Sequence, residues 1–395
     1  MKPYRLAPLP PTFELALAQA LERTVSASML PKLVERLSRK YNGESQQLTH
    51  TEELAAWISF FLPRDLHKPV APLAELIAAD ALPKRPLRIL DLSAGVGTHL
   101  IGALLALEAL GHTHGIASIT AVEPESFALD ALARVFSSLA RHRCLPARTP
   151  SPERLHDPAR TLSLTAHAPF DLVLLCNTLT PDASRDEESQ VLTSREVLQQ
   201  NLSRFRLSPD GAVLLIEPAT QHAARTVQHL RTAALTPPLH VVAPCTHRQQ
   251  CPLLARPRDW CHQDIATDLP AWLIETARGA GLRFQGLSYA YLTLRHEPTL
   301  LTQTQAPWVP ARWVSAPRAS KGKTEAFLCA TRPDGAPALT EPLRAMQLDR
   351  DIPRPARDTP KVSEITRGET VAIAQEALTE SPVVRLSPGS FVPIA

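Results

Sequence analysis

The chain has 395 residues, of which 44% are hydrophobic, so it is long enough for more than one domain and apolar enough to bury a sizeable core. Its 42 lysines and arginines and 39 aspartates and glutamates leave a formal net charge of only +3, which excludes a chain that is polybasic throughout. No apolar run approaches the roughly 18 residues expected of a membrane span, and the first residues lack a secretory or presequence pattern. We therefore expect a cytoplasmic protein without a membrane segment.

The first 84 residues are predicted to form a helical N-terminal region. Apolar residues recur at helical spacing over 13–25 and again over 29–41, as on one face of an amphipathic helix. Thr51 and Glu53 suit the first turn of a third helix, which Pro63 ends. We therefore expect a helical extension in front of the next domain.

A parallel sheet of the Rossmann kind is predicted over residues 85–240. The apolar run 87–92 has the length of a strand buried on both faces, and it turns through the glycine-bearing segment 93–97 into a long apolar helix. The runs 170–176 and 207–218 predict two further strands of the same sheet. Strands that alternate with helices indicate an α/β fold.

The turn after the first of these strands has the residues of a nucleotide-binding site. Glycines there let a ligand approach the backbone, and the N-terminus of the following helix offers free N–H groups. An acid that closes the next strand can accept hydrogen bonds from ribose hydroxyls. The predicted cofactor-binding residues are Asp91, Ser93, Gly95, Gly97, Glu123 and Asn177.

The same turn resembles motif I of class I S-adenosylmethionine-dependent methyltransferases, D-x-G-x-G-x-G, with Ser93 in the place of the first glycine. The resemblance implies that the sheet binds S-adenosylmethionine. Cys176 and Asn177 stand where these enzymes place catalytic-loop residues, but the sequence CNTLT lacks the Asn/Asp-Pro-Pro-aromatic tetrapeptide that cradles an exocyclic amine. Methylation of a base amino group is therefore not indicated, and no catalytic residue is assigned.

Four of the six cysteines are spaced like ligands of one metal site. Cys245, Cys251 and Cys261 follow each other as C-x5-C-x9-C in a polar, proline-broken loop, and Cys329 ends a predicted strand. A reducing cytoplasm disfavours disulfides. Structural zinc sites usually contain a C-x2-4-C knuckle, which is absent, although neighbouring histidines could complete a mixed set. A [4Fe–4S] cluster needs four thiolates and tolerates wide spacing, so an iron–sulfur cluster, zinc and no metal at all stay open as alternatives.

Residues 241–335 are therefore predicted to form a Cys-rich, metal-binding subdomain with closing strands. From about Pro333 the chain becomes rich in proline and loses its periodicity. We expect residues 336–395 to be an irregular tail, apart from one helix at 369–378.

Four short segments, CTHRQQCPL, DWCH, SYAYLTLR and APRASKGKTEAFLC, together resemble the methyltransferase-like small-ribosomal-subunit assembly factors of mitochondria and many bacteria. The resemblance covers roughly residues 8–335. It implies a class I methyltransferase fold, a [4Fe–4S] cluster, and a monomer that engages the small ribosomal subunit and its 16S-type rRNA. By position, it implies that the cluster ligands are Cys245, Cys251, Cys261 and Cys329. Two alternatives are an active rRNA methyltransferase and a zinc-stapled methyltransferase of unknown substrate.

A basic stretch before the fourth cysteine is the predicted RNA-binding surface. Cations next to aromatic side chains suit phosphate contact and base stacking. The tryptophans in this stretch are Trp308 and Trp313, and the predicted RNA-binding cations are Arg312, Arg318, Lys321 and Lys323. The alternative is a hairpin loop whose cations are merely solvated.

Overall fold

The fold in the computed structural model consists of two β-sheets and of helices that pack on the first sheet. The structure describes residues 6–22, 25–41, 44, 47–178, 196–235, 238–298, 307–331, 342–352, 360–379, 381 and 383–393. Within these residues, no helix is long and apolar enough to cross a membrane.

Short helices make up the N-terminal region. They are α1 (Pro11–Ala20), α2 (Leu30–Tyr41), α3 (His50–Ala56), a π-helical turn (Trp57–Phe61), α4 (Leu62–Asp65) and α5 (Val70–Ala78). Helix α3 begins at a capping box, in which the Thr49 hydroxyl accepts from the Glu52 N–H and the Glu52 carboxylate accepts from the Thr49 N–H. The helix begins at His50, so the predicted start at Thr51 is one residue late.

The first sheet has the order β3-β2-β1-β4-β5-β8-β6, with β7 also paired to β8. Its strands are β1 (Leu87–Asp91), β2 (Ile116–Glu123), β3 (Glu153–His156), β4 (Phe170–Cys176), β5 (Leu207–Pro218), β6 (His240–Ala243), β7 (Gln263–Ile265) and β8 (Leu287–Arg295). Strands β1 to β5 run parallel, and β8 runs antiparallel to its neighbours. The predicted fold class, a Rossmann-like α/β sheet of the class I methyltransferase kind, is confirmed.

Helices lie on both faces of the first sheet, because its central strands are apolar on both sides. Leu87 and Ile89 of β1 join one core with α1, α5, α6 (Thr98–Ala109) and α7 (Ser126–Arg141). Leu90 and the next apolar residue, Leu92, face the opposite core with α8 (Gln221–Ala233). A further helix, α9 (Ala271–Gly279), packs against α2.

The second sheet has the order β14-β12-β11-β9-β13-β15, with β10 also paired to β11. Its strands are β9 (Trp308–Trp313), β10 (Arg318–Ser320), β11 (Lys323–Ala330), β12 (Leu343–Leu348), β13 (Thr370–Ala374), β14 (Val383–Arg385) and β15 (Phe391–Pro393). Its own core surrounds Trp313, which is fully buried and meets Phe391 edge to face.

The prediction of an irregular tail over 336–395 is wrong for the described part of that segment. Four of the seven strands of the second sheet come from it, and β13 with a 3₁₀ turn (Gln375–Ala377) replaces the predicted helix at 369–378. These strands are only three to six residues long, too short for a clear periodicity, and their partners lie far away in the chain. Residues 241–335 are likewise divided between the two sheets, with β6 to β8 in the first and β9 to β11 in the second.

Candidate functional site

The glycine turn after β1 brings five of the six predicted cofactor-binding residues together. Gly95 and Gly97 both have positive φ, +51° and +90°, so the turn needs residues without a Cβ. The Gly95 N–H donates to Oε2 of Glu123 over 2.8 Å, and the Ser93 N–H donates to Oδ1 of Asp91 over 3.3 Å. Both acids are thereby held by N–H groups of the turn that leads into α6.

The sixth predicted residue, Asn177, lies just past the end of the neighbouring strand β4. Leu174 of β4 pairs with Asp91 of β1, so Asn177 follows three residues beyond that pair at the same edge of the sheet. Asn177 is exposed and has a positive φ of +53°. Sequence reasoning missed Glu217 at the end of β5, which is buried and accepts the Thr178 N–H over 2.8 Å.

Both acids at this edge hold their protons more tightly than exposed carboxyls do. Burial raises the pKa of Asp91 to about 7, and the charge of Glu123 adds to the effect. Burial also raises the pKa of Glu123. A cation placed between the two acids would favour their ionised forms, so this edge of the sheet suits a positively charged ligand.

The four predicted metal-binding cysteines all line one cavity of about 40 Å³. Cys245 comes shortly after β6, Cys251 and Cys261 lie in the loop before β7, and Cys329 lies on β11 of the second sheet. The cavity therefore sits where the two sheets meet. Within the described part of the chain, no three or more His, Cys, Asp or Glu side chains are positioned to hold a single metal ion.

A glutamine on α8 connects two of these cysteines. The Nε2 group of Gln228 donates to Sγ of Cys251 over 3.1 Å, while its Oε1 accepts the N–H of Cys261 over 3.2 Å. On the other side of the cavity, Nε2 of His247 lies 3.1 Å from Sγ of Cys329. The thiols are thus held by hydrogen-bonding side chains that the sequence analysis did not assign.

Arg231 of α8 is a buried cation beside the same thiols, with 2% of its surface exposed. Its guanidinium donates to the carbonyls of Gln249 and His247, while Nε has no partner among the described residues. None of the described carboxylates pairs with it, although a buried charge requires an opposite one. The nearest groups that can carry that charge are the thiols of Cys245, Cys251 and Cys329.

Burial disfavours this charge on three of the thiols when no metal is bound. It raises the pKa of Cys261 to about 12, and it raises the pKa of Cys251 and Cys329 as well. A bound metal deprotonates its thiol ligands outright. The donor set therefore fits a metal group that is anionic once four thiolates hold it.

The structure divides the predicted RNA-binding cations into two groups. Arg318 and Lys321 are exposed on the hairpin between β10 and β11, whereas the half-buried Lys323 pairs with Glu325 over 3.1 Å. The prediction for Arg312 is wrong, because only 3% of its surface is exposed. Trp313 is likewise buried in the core of the second sheet, and Trp308 is partly buried.

Arg312 instead joins the two sheets. It forms an ion pair with Glu75 of α5 and donates to the Tyr291 hydroxyl over 2.9 Å and to the Gly368 carbonyl over 2.6 Å. In the second sheet it lies directly opposite Cys329, on the neighbouring strand. The residue thus belongs to the wall of the cysteine cavity rather than to the surface.

A turn from the C-terminal part of the chain covers the cavity. Arg367 donates to the ring of His262 over 2.6 Å, and the Arg367 carbonyl accepts the Asp264 N–H over 3.0 Å. Gly368 lines the cavity with φ of +95°, and a Cβ there would lie 2.0 Å from Oε1 of Gln263. Only glycine fits at this position.

The family model described as "Mitochondrial small ribosomal subunit Rsm22" matches residues 70–336. The chain belongs to the Rsm22 family. The matched residues begin at α5 and end after β11, so they contain the glycine turn and all four cavity cysteines. The family resemblance found in the sequence is confirmed. Strands β12 to β15 of this Rsm22-family chain lie beyond the matched residues.

Solved structures similar to this Rsm22-family chain include three methyltransferases. A protein described as a class I S-adenosylmethionine-dependent methyltransferase from Listeria monocytogenes is 14% identical, with 75% of this chain and 89% of that chain covered and a TM-score of 0.37. An rRNA methylase from Streptococcus thermophilus is 11% identical (57% and 96% covered, TM-score 0.30). Magnesium protoporphyrin IX methyltransferase from Synechocystis is 11% identical (70% and 100% covered, TM-score 0.34).

These TM-scores lie below 0.5, so the fold assignment rests on the strand order of the first sheet. Among curated proteins, none matches the Rsm22-family chain.

Proposed function

We propose that this Rsm22-family chain is an assembly factor that binds the small ribosomal subunit, with S-adenosylmethionine on its first sheet and a [4Fe–4S] cluster between its two sheets. Family membership supports the ribosomal partner. The observation that carries the cluster is the convergence of four thiols and one uncompensated buried arginine on a single cavity. The proposed cluster ligands are Cys245, Cys251, Cys261 and Cys329.

The donor set favours an iron–sulfur cluster over a single zinc ion. Structural zinc sites usually contain a C-x2-4-C knuckle, which is absent from the spacing of these cysteines. A cluster holds its four thiolates further apart, with inorganic atoms between them, and the thiols here surround a cavity. When bound, the cluster would supply the negative charge that Arg231 lacks.

We further propose that Asp91, Ser93, Gly95, Gly97 and Glu123 hold S-adenosylmethionine, with Asn177 at the same edge. The two acids and the free N–H groups of α6 match its cationic and polar groups. Methyl transfer is not part of the proposal, because no catalytic residue is assigned. Burial raises the pKa of the nearby Cys176 thiol well above its usual value, which opposes a nucleophilic thiolate there.

The affinity for S-adenosylmethionine should depend on pH. The ligand is cationic and binds the ionised form of Asp91, whose pKa of about 7 means that the free protein must lose a proton below neutrality. The affinity should therefore fall about tenfold from pH 8 to pH 6, as a linked proton requires. Asp91→Asn should bind more weakly and lose this dependence. Calorimetric titration at several pH values measures both effects.

Asp130→Asn is the matched control, because this carboxylate on α7 is 69% exposed and lies outside the glycine turn. It should leave the affinity and its pH dependence unchanged. An equal affinity at pH 6 and pH 8 in the unmodified protein would show that Asp91 does not face the ligand.

We propose the exposed hairpin between β10 and β11 as one contact with the small subunit. Arg318→Glu combined with Lys321→Glu should weaken co-sedimentation with small-subunit precursors at least tenfold, because both cations can contact phosphates. The loss should be largest at low salt, since phosphate contacts release counterions. Sedimentation at several salt concentrations, with the pelleted protein quantified, measures the effect.

Lys84→Glu combined with Arg141→Glu is the control, because it changes the net charge equally at two exposed cations remote in sequence from the hairpin. Equal losses in both double variants would mean that net charge, rather than the hairpin, determines binding. The cytoplasmic location and the monomeric state stay predictions, and the family description names a mitochondrial subunit.

A further inference from the structure

The wall of the cysteine cavity contains cations and hydrogen-bond donors but no acids among its described residues. Its two charged side chains are Arg231 and Arg312, and Gln228 and His247 point polar nitrogens at thiols. Arg367 adds a third cation on the His262 side. An environment of this kind stabilises negative charge on the group that the cysteines hold.

A cluster held by four thiolates is anionic even in its oxidised state, and the cations of this wall offset part of that charge. Arg312 is offset by its ion pair with Glu75, but Arg231 has no carboxylate partner among the described residues. Gln228 directs an N–H at the sulfur of Cys251, and hydrogen bonds to cluster sulfurs favour the more negative oxidation state. Burial alone would disfavour that state, so the polar wall acts against the effect of burial.

We propose that the cluster in this site accepts one electron reversibly. The positive charge of Arg231 sets the reduction potential at which it does so. This inference rests on the proposed [4Fe–4S] cluster. The electron comes from an external one-electron donor, which is dithionite in the experiment below. One electron enters the cluster, its total charge becomes more negative by one, and no bond forms or breaks.

Arg231→Gln tests the inference on the full chain, purified without oxygen. The visible absorbance and the electron paramagnetic resonance signal are followed while the solution potential is lowered stepwise. In the unmodified protein we expect full and reversible reduction by dithionite. In Arg231→Gln we expect the equilibrium constant for reduction to fall at least tenfold, which is 59 mV for a one-electron couple. Arg231→Lys keeps the charge and should recover most of the shift.

Arg225→Gln is the matched control for removing a buried arginine. Arg225 lies on the same helix, donates to backbone carbonyls that include those of Arg256 and Asp259, and is absent from the cavity wall. The reduction potential of the Arg225→Gln variant should equal that of the unmodified protein. If Arg231→Gln fails to fold, Gln228→Glu replaces the amide donor by an isosteric acid and should lower the equilibrium constant by a similar factor.

The outcomes separate this inference from the proposed function. Iron-free protein would overturn the proposed cluster and the inference with it. Protein with a full complement of iron that dithionite does not reduce would overturn the inference alone. A reduction potential that is the same in Arg231→Gln, Gln228→Glu and the unmodified protein would also overturn the inference alone. Lower potentials in Arg231→Gln and Gln228→Glu, with no change in Arg225→Gln, would support it.

Discussion

Replacing Cys329 by serine is expected to remove the metal from the protein and to release the second sheet from the first. Cys329 is the one cavity cysteine that the second sheet contributes, so the metal group would connect β11 to the loop that carries Cys251 and Cys261. The unmodified protein, purified without oxygen, should be brown with about four irons per chain. The Cys329→Ser protein should be colourless with less than about a tenth of that iron, since a cluster needs its four thiolates.

Metal analysis, the visible spectrum and hydrogen exchange of β9 to β13 measure the two effects together. Exchange in these strands should accelerate in Cys329→Ser because binding free energy of a metal group is part of the free energy of folding. Cys144→Ser is the matched control, since Cys144 is buried near Thr12 of α1 and away from the cavity. One zinc per chain, or no metal, in the unmodified protein would contradict the proposed cluster.

Glu75→Gln is expected to lower the free energy of unfolding by about 3 kcal/mol, toward the lower end of the range for breaking a buried ion pair. The substitution leaves the Arg312 guanidinium buried without its carboxylate, and it weakens the contact between Glu75 and the Tyr291 hydroxyl. The expected loss is at the lower end because the proposed thiolate of Cys261 lies near Arg312 and offsets part of its charge. Urea unfolding of the cluster-loaded protein without oxygen measures the change.

Two further variants show whether the loss comes from the unpaired charge. Glu75→Leu combined with Arg312→Met removes both charges, and it should be more stable than Glu75→Gln alone because no buried charge is left uncompensated. Asp80→Asn breaks the exposed pair with Lys84 and should cost less than about 1 kcal/mol. If Glu75→Gln lowers the free energy of unfolding by no more than Asp80→Asn does, the charge of Arg312 is not balanced by Glu75.

The parts of the fold that could be predicted from the sequence are those that depend on local sequence patterns. The strand that ends at Asp91, the turn through Gly95 and Gly97, and the apolar run of β4 each depend on residues close together in the chain. The C-terminal strands of the second sheet, β12 to β15, were missed because they are short and their pairs join distant segments, such as β12 with β14. A prediction of strands from periodicity needs longer runs than these.

The same difference between local patterns and distant contacts explains which residues of the candidate site could be predicted. The cysteines were identified because the residue type itself suggests the chemistry. The burial of Arg312 was not predictable, because its partner Glu75 lies 237 residues away. Arg231 was missed although a signal was present. Helix α8, with the sequence QHAARTVQHLRTA, carries two arginines and no acid, yet it must pack against a sheet. A buried arginine on such a helix, next to a cysteine loop, indicates an anionic neighbour.

With the proposed cluster, the turn at Arg367 and Gly368 would impose an order on the maturation of the protein. It lies against the loop that carries Cys261, while Cys329 lines the cavity from the second sheet. A preassembled iron–sulfur cluster is much larger than a water molecule, so it would enter more easily before this turn is in place. Delivery of the proposed cluster would then precede the docking of residues 360–379, which the ribosome synthesises after all four cysteines. A chain in which residues 360–379 had docked without the proposed cluster would have to undock them before the cluster could enter. Late docking of these residues would therefore leave the cysteines of the newly made protein accessible to the protein that delivers the cluster.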